Sequence, residues 1–96
     1  MLVKLTIDLA RGFAPWKQMF HENEATFNAH GCALVFAGAD KEDDNKLTVL
    51  FHANSLESLK AFATDEELKQ KRADAGALHD TTVVTIMSEE SFTKTN

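Results

Sequence analysis

The sequence has little of several residues on which other classes of protein depend. Among 96 residues there are one cysteine, one proline, four glycines and no tyrosine. The single cysteine, Cys32, cannot form an internal disulfide and has no second thiol with which to share a metal ion. So few glycines and prolines argue against a disordered segment. We therefore expect one globular domain, residues 1–96, from a reducing compartment.

Basic clusters and long apolar runs are also absent. A net charge of −5 repels phosphate backbones and anionic lipids, so nucleic acid is not an expected partner. The N-terminal apolar run is interrupted by Lys4 and Asp8, and it is too short for a signal peptide or a membrane span. We expect a cytoplasmic protein with no membrane partner.

The stretch 47–62, LTVLFHANSLESLKAF, contains the clearest structural pattern in the chain. Its first half alternates, which predicts a strand with Leu47, Val49 and Phe51 on one face. Ser55 follows, where its side-chain oxygen can cap a helix, and the apolar residues after it are spaced for one helical face. A strand, an N-cap and a helix are predicted in that order.

Similar patterns predict the other elements. Alternation predicts a strand over Leu2–Leu9. Pro15 suits the first position of a helix, so a helix should begin at about that residue and end before Gly31. The remaining predictions are a strand over Cys32–Ala39, a polar hairpin linker over 39–46, a helix from Asp65 to about Ala75 after a Thr64–Glu67 capping box, and a strand over Thr81–Ser88.

The order β-α-β-β-α-β predicts the α+β class and a ferredoxin-like sandwich, with a four-stranded antiparallel sheet and helices on one face. The strand 32–39 is apolar throughout, so it should be covered on both faces and lie inside the sheet rather than at its edge. The face without helices is too apolar for water alone, and we expect an identical subunit to cover it. That face would carry Lys4, Thr6, Thr48, Leu50, His52, Val83, Thr85 and Met87.

These features together resemble the dimeric α+β-barrel superfamily, and within it small uncharacterised bacterial proteins. The resemblance covers nearly the whole chain and implies a homodimer whose two sheets face each other in a barrel. The superfamily includes cofactor-independent monooxygenases, lactone isomerases and haem-degrading enzymes, which bind small, mostly apolar ligands. The residues that carry it are Trp16 and Phe20 as W-x3-F, His30-Gly31, the stretch 47–62, Asp65–Leu68 and Ala75-Gly76.

The Asn, Trp and His set of the haem degraders is not matched. Trp16 lies in the first predicted helix, and Thr6 stands in the strand position where the asparagine would be sought. The four histidines lack metal-ligand spacing, and the acidic loop 40–44 fails the EF-hand pattern because Asn45 stands where glycine is needed. We expect no metal and no cofactor.

His52 is the candidate catalytic residue, because the alternation places it on the face without helices, where it could act as an acid or a base. A hydrogen-bonded histidine at the subunit interface is the alternative. The candidate ligand-binding residues are Thr6, Leu50 and Thr85 on the same face, together with Trp16. Trp16 could stack on a ligand, although its helical spacing with phenylalanines is typical of a core residue.

Two functions remain open, and the sequence does not decide whether the protein is an enzyme. The first is a homodimer that binds a small apolar ligand without chemistry of its own. The second is a cofactor-independent monooxygenase or isomerase, in which His52 or a neighbour moves a proton. A cavity of roughly 300 Å³ or more lined by His52 would favour the enzyme.

Overall fold

A computed structural model describes residues 1–93. It contains four strands and three helices, in an order that matches the predicted one once the second helical region is counted as two segments. The elements are β1 (Leu2–Leu9), α1 (Phe13–Ala29), β2 (Cys32–Asp40), β3 (Asp43–Ala53), α2 (Leu56–Ala63), α3 (Glu66–Asp74) and β4 (Ala77–Ile86).

The four strands form one antiparallel sheet in the order β2-β3-β1-β4. In β1, Leu5 pairs with Val49 of β3 and Val84 of β4, and the next residue, Thr6, pairs with Thr48 and Val83. Directly opposite residues share a face of a sheet, so this register confirms the predicted division of side chains between the two faces. The sheet with its helices on one face is the predicted ferredoxin-like fold.

The core lies between the sheet and the helices. Val3, Leu47 and Phe51 are the largest fully buried side chains, and all three belong to the strand rows that the alternation assigned to the helix side. Aromatic rings from α1, β3 and α2 meet there, with ring centroids of Phe27 at 5.3 Å from Phe51 and 5.0 Å from Phe62. These edge-to-face contacts stabilise the layer where the helices cross the two central strands.

Helix α1 begins at Phe13, two residues before the predicted start at about Pro15. The backbone N–H of Gly12 donates to Asn45 Oδ1 at 2.7 Å, and that of Phe13 donates to Asp44 Oδ2 at 3.0 Å. Side chains at the start of β3 therefore satisfy amides that a helix otherwise leaves unpaired. Pro15 stands in the first turn, where its missing N–H costs nothing.

The predicted hairpin between the second and third strands is confirmed, but its linker is shorter than 39–46, because the strands continue into it. β2 extends to Asp40, which pairs with Asp43 at the start of β3 and leaves a turn at residues 41–42. Lys46 then faces Asp8 across the sheet, with Nζ donating to Oδ1 at 2.9 Å. A polar sequence can extend a strand when its exposed side chains pair across it.

Strand β2 lies at an edge of the sheet, so its predicted position inside the sheet is wrong for the single chain. Its Cys32 is buried as expected, and burial raises the pKa of the Cys32 thiol. Strand β4 begins at Ala77 rather than Thr81. The pairing of β1 with β4 shifts between Thr6 and Asp8, and the Thr81 hydroxyl accepts a hydrogen bond from the Asp8 N–H at 2.8 Å within this irregular stretch.

The cap of α3 is Asp65, not the predicted Thr64. Asp65 Oδ1 accepts a hydrogen bond from the Leu68 N–H at 2.9 Å, and Oδ2 lies 2.8 Å from Nε2 of His30 at the end of α1. The Thr64 hydroxyl instead donates to the carbonyl of Lys60. The bond from Leu68, followed by the contact with His30, lowers the pKa of the Asp65 carboxyl.

This lowered pKa predicts an acid-sensitive contribution to stability. A carboxyl whose pKa is lower in the folded state stabilises the fold above its unfolded pKa, and loses that contribution as the pH falls through the folded value. Asp65→Asn keeps an N-cap oxygen but cannot ionise. Urea unfolding should therefore show the native protein losing stability more steeply than Asp65→Asn below about pH 4.

Asp80→Asn, which removes an exposed carboxylate from β4, is the matched control. Its unfolding midpoint should follow the native protein at each pH. Parallel curves for the native protein and Asp65→Asn would show that the carboxylate of Asp65 does not stabilise the link between α1 and α3.

Candidate ligand-binding groove

The helices leave the later part of β4, around Val84 and Ile86, uncovered on their side. Val84 and Ile86 stand in the same row as their partners Leu5 and Val3, yet they are 49% and 48% exposed, whereas the partners are 8% and 0% exposed. The helices thus shield Leu5 and Val3 of β1 but not their partners Val84 and Ile86 of β4. A groove of about 470 Å³ results between α2, α3 and β4, within the size range of small-molecule sites.

The walls of the groove are mostly apolar. Leu56 and Leu59 come from α2, which Ser55 caps through a hydrogen bond from the Ser58 N–H to its Oγ, as predicted. This cap fixes where α2 begins and so directs its apolar side toward the sheet. The apolar wall is formed by Leu5, Phe51, Leu56, Leu59, Phe62 and Val84.

Arg72 of α3 forms the inner polar end of the groove. Its guanidinium carbon lies 4.6 Å from the centroid of the Phe62 ring, within the range of a cation–π contact. Its Nε atom is buried and has no hydrogen-bond partner among residues 1–93. Burial lowers the pKa of the Arg72 guanidinium, and the nearby carboxylate of Asp65 opposes this shift. An arginine remains charged even so.

Three further basic side chains line the groove, namely Lys60, Lys69 and His79. His79 Nε2 lies 3.1 Å from the carbonyl oxygen of Lys69. Because a carbonyl can only accept, Nε2 must carry a proton, and in the neutral ring Nδ1 is then the basic nitrogen. His79 lies near the start of β4.

Arg72 and Phe62 also border a second, smaller cavity of about 40 Å³, located deeper between the sheet and α1. Trp16 is in the wall of this cavity and is 6% exposed. Its ring stacks between those of Phe13 and Phe20, with centroids at 6.0 and 5.4 Å. Trp16 is thus packed as a core residue at the back of the groove.

The other sequence-predicted site residues lie on the opposite side of the sheet, which we call the free face. Lys4 pairs with both Leu50 and Thr85, and Thr6 follows two residues along the same strand. Thr6, Leu50 and Thr85 are therefore brought together around Lys4, as the alternation implied. Trp16 is not with them, because it lies among the helices.

His52 is on the free face but near its end. It is exposed in the single chain and pairs with Leu2 at the start of β1 and with Ala33 in β2. It is in the wall of neither cavity described above. Its catalytic role therefore stays a prediction that depends on a second subunit.

Sequence reasoning missed Arg72 and His79. Arg72 stands in the last turn of α3, where a basic residue complements the helix dipole, and no pattern around His79 distinguishes it from a surface residue. An available signal was the helical spacing of Leu68, Arg72 and Ala75, which places Arg72 between two apolar residues on one face. Among residues 1–93, no three His, Cys, Asp or Glu side chains group as a metal site would require, and no helix has the length and apolar character to cross a membrane.

Comparison with known proteins supports the fold. No protein-family model matches the sequence, and no curated protein matches it. A crystal structure from Deinococcus radiodurans, provisionally named as an antibiotic biosynthesis monooxygenase, superposes with a TM-score of 0.66 at 19% identity, over 100% of both chains. One from Caulobacter crescentus, provisionally given the same name, has a TM-score of 0.62 at 22% identity, over 88% of this chain and 83% of that one.

An uncharacterised NIPSNAP-like domain protein from Burkholderia xenovorans is also similar, with a TM-score of 0.66 at 15% identity, over 98% of this chain and 88% of that one. Sequence identities this low leave the activity open, so the structural likeness shows the fold alone. The TM-scores confirm the fold that the resemblance implied. The chain has the ferredoxin-like fold, a four-stranded antiparallel sheet with its helices on one face.

Proposed function

We propose that the protein is a single-domain, cytoplasmic homodimer that binds a small apolar ligand in the groove between α2, α3 and β4. The observation that carries this proposal is the apolar cavity of about 470 Å³ on the helix side of β4. Proteins seldom leave such a row of β-branched side chains uncovered unless something binds there. The pairing of two free faces would form the dimer and leave the groove of each subunit accessible.

Filling the groove should abolish binding. Ala63 at the end of α2 lines the groove, and Ala63→Phe places an aromatic ring inside it. The neutral dye N-phenyl-1-naphthylamine, whose fluorescence rises in apolar surroundings, should bind the native protein and bind this variant at least about tenfold more weakly.

Ala61→Phe is the matched control, since Ala61 belongs to the same helix but does not line the groove. Its affinity for the dye should stay within about twofold of the native value. Equal losses of dye affinity in both variants would mean that the dye binds outside the groove. A native protein that does not bind the dye would contradict the proposed function.

A cofactor-independent monooxygenase or isomerase is the second candidate. The observation in its favour is His79, whose hydrogen bond to Lys69 leaves Nδ1 as the basic nitrogen beside an apolar cavity. Two structural neighbours provisionally named as antibiotic biosynthesis monooxygenases are compatible with it. In this candidate the ligand itself supplies the electrons and the histidine takes its proton.

Variants of His79 and His52 distinguish two possible active sites, the groove and the free face. If the groove is the active site, His79→Gln should abolish protein-dependent oxygen uptake with an electron-rich phenol, and His52→Gln should retain it, because only His79 lines the groove. The opposite result would restore His52 on the free face as the base. His21→Gln, on the exposed side of α1, is the control.

A further inference from the structure

We propose that the ligand of the groove is a small apolar anion, a hydrocarbon or aromatic scaffold carrying one carboxylate or phenolate group, with Arg72 as the cation that holds it. This inference rests on the proposed function, since it names the chemical class of the ligand for the same groove. It depends on three features of the groove: an incompletely paired guanidinium, the sign of the charge in the walls, and the apolar surface around them.

The guanidinium of Arg72 is incompletely paired. It makes no salt bridge with the carboxylates of residues 1–93, and its buried Nε has no hydrogen-bond partner within that range. Leaving a buried donor of a charged group unpaired is unfavourable. Nε itself is shielded, so an anionic oxygen in the groove would accept from the terminal amino groups of the Arg72 guanidinium, whose planar fork suits a carboxylate.

The ionisable side chains in the walls of the groove are all basic. The groove is lined by four basic side chains, those of Lys60, Lys69, Arg72 and His79, and by no aspartate or glutamate. The whole chain carries a net charge of −5, so this local excess of basic groups runs against the overall charge. Low-dielectric apolar walls strengthen the attraction of such groups for an anion.

The rest of the surface limits what the anion can be. Leu56, Leu59 and Val84 form the wall on the α2 and β4 sides, and these side chains offer no hydrogen bonds to further charged groups. A polyphosphate would leave anionic oxygens unpaired against them. A ligand with one anionic group and an apolar body matches both parts of the groove.

A pair of dyes with the same aromatic skeleton tests the proposal. N-phenyl-1-naphthylamine is neutral, and 8-anilino-1-naphthalenesulfonate adds one sulfonate, which stands in for a carboxylate. The native protein should bind the sulfonate dye at least about tenfold more tightly, as one charge-assisted hydrogen-bonded contact would give. Decanoate should displace it more effectively than decan-1-ol.

Arg72→Met removes the charge and keeps most of the apolar stem. It should weaken binding of the sulfonate dye by about tenfold to a hundredfold and change binding of the neutral dye by less than about twofold. Lys71→Met removes the same charge at the neighbouring position, which lies outside the groove, and should leave both affinities unchanged. If Arg72→Met fails to fold, the Lys60→Met/Lys69→Met double variant should still weaken the sulfonate dye selectively.

The outcomes separate this inference from the function on which it rests. If the neutral dye binds in the groove but the sulfonate dye binds no better, or if Arg72→Met and Lys71→Met have equal effects, the anionic class is wrong and the apolar ligand stands. If neither dye binds, both proposals fail. If Phe92→Ala in the C-terminal segment raises the affinity for the sulfonate dye about tenfold, the segment with Glu89 and Glu90 occupies the groove instead, and the small-anion proposal is overturned.

Discussion

Replacing Trp16 with alanine is expected to lower the free energy of unfolding by about 3–5 kcal/mol, the usual cost of removing a large aromatic side chain from a core. Trp16 is 6% exposed and stacks between Phe13 and Phe20. Small domains are stable by about 5–15 kcal/mol, so this variant should be close to unfolding. Urea unfolding followed by circular dichroism measures the loss without depending on tryptophan fluorescence.

The control is Phe92→Ala, which removes an aromatic ring that is 94% exposed and should leave the unfolding midpoint unchanged. Both variants must be compared at one protein concentration, because the stability of the proposed homodimer would depend on it. An unchanged midpoint for Trp16→Ala together with lost dye binding would contradict the core assignment. It would return Trp16 to the set of ligand-binding residues that the sequence suggested.

The sheet and its two faces could be predicted because they depend on a local period. Alternation in 2–9 and 47–53 assigns Val3 and Phe51 to the core and Thr6 and Leu50 to the other face, whichever strand is the neighbour. Element ends were less predictable because tertiary contacts set them. Asn45 and Asp44 reach α1 from across the fold, which is why that helix begins at Phe13.

The groove could not be predicted, because it depends on where the helices stop covering the sheet. Sequence patterns show that Val84 alternates with Val83, but not that α2 and α3 leave Val84 half exposed. The contact between Arg72 of α3 and the Phe62 ring of α2 likewise depends on how the two helices are placed. Propensity and spacing act within one element, whereas a cavity depends on the distance between elements.

The second large effect is expected at the free face. Val83 is 59% exposed there, beside Thr6 in the sheet register. If two free faces meet, Val83→Glu places an unpaired carboxylate in the interface of each subunit. We expect this change to weaken association by at least about 3 kcal/mol, roughly a hundredfold in Kd. Sedimentation should show the native protein at twice its mass of 10.6 kDa at micromolar concentration and Val83→Glu as a monomer.

Val84→Glu is the matched control, because it makes the same change at the next residue of β4. Val84 is 49% exposed but points to the helix side, into the groove. This variant should remain a dimer and lose affinity for the sulfonate dye, since its carboxylate would pair with the basic groups that hold the anion. A native protein that is monomeric, or two variants that dissociate alike, would contradict the pairing of free faces. The apolar part of the edge strand β2, residues 32–39, would then have to be covered in another way.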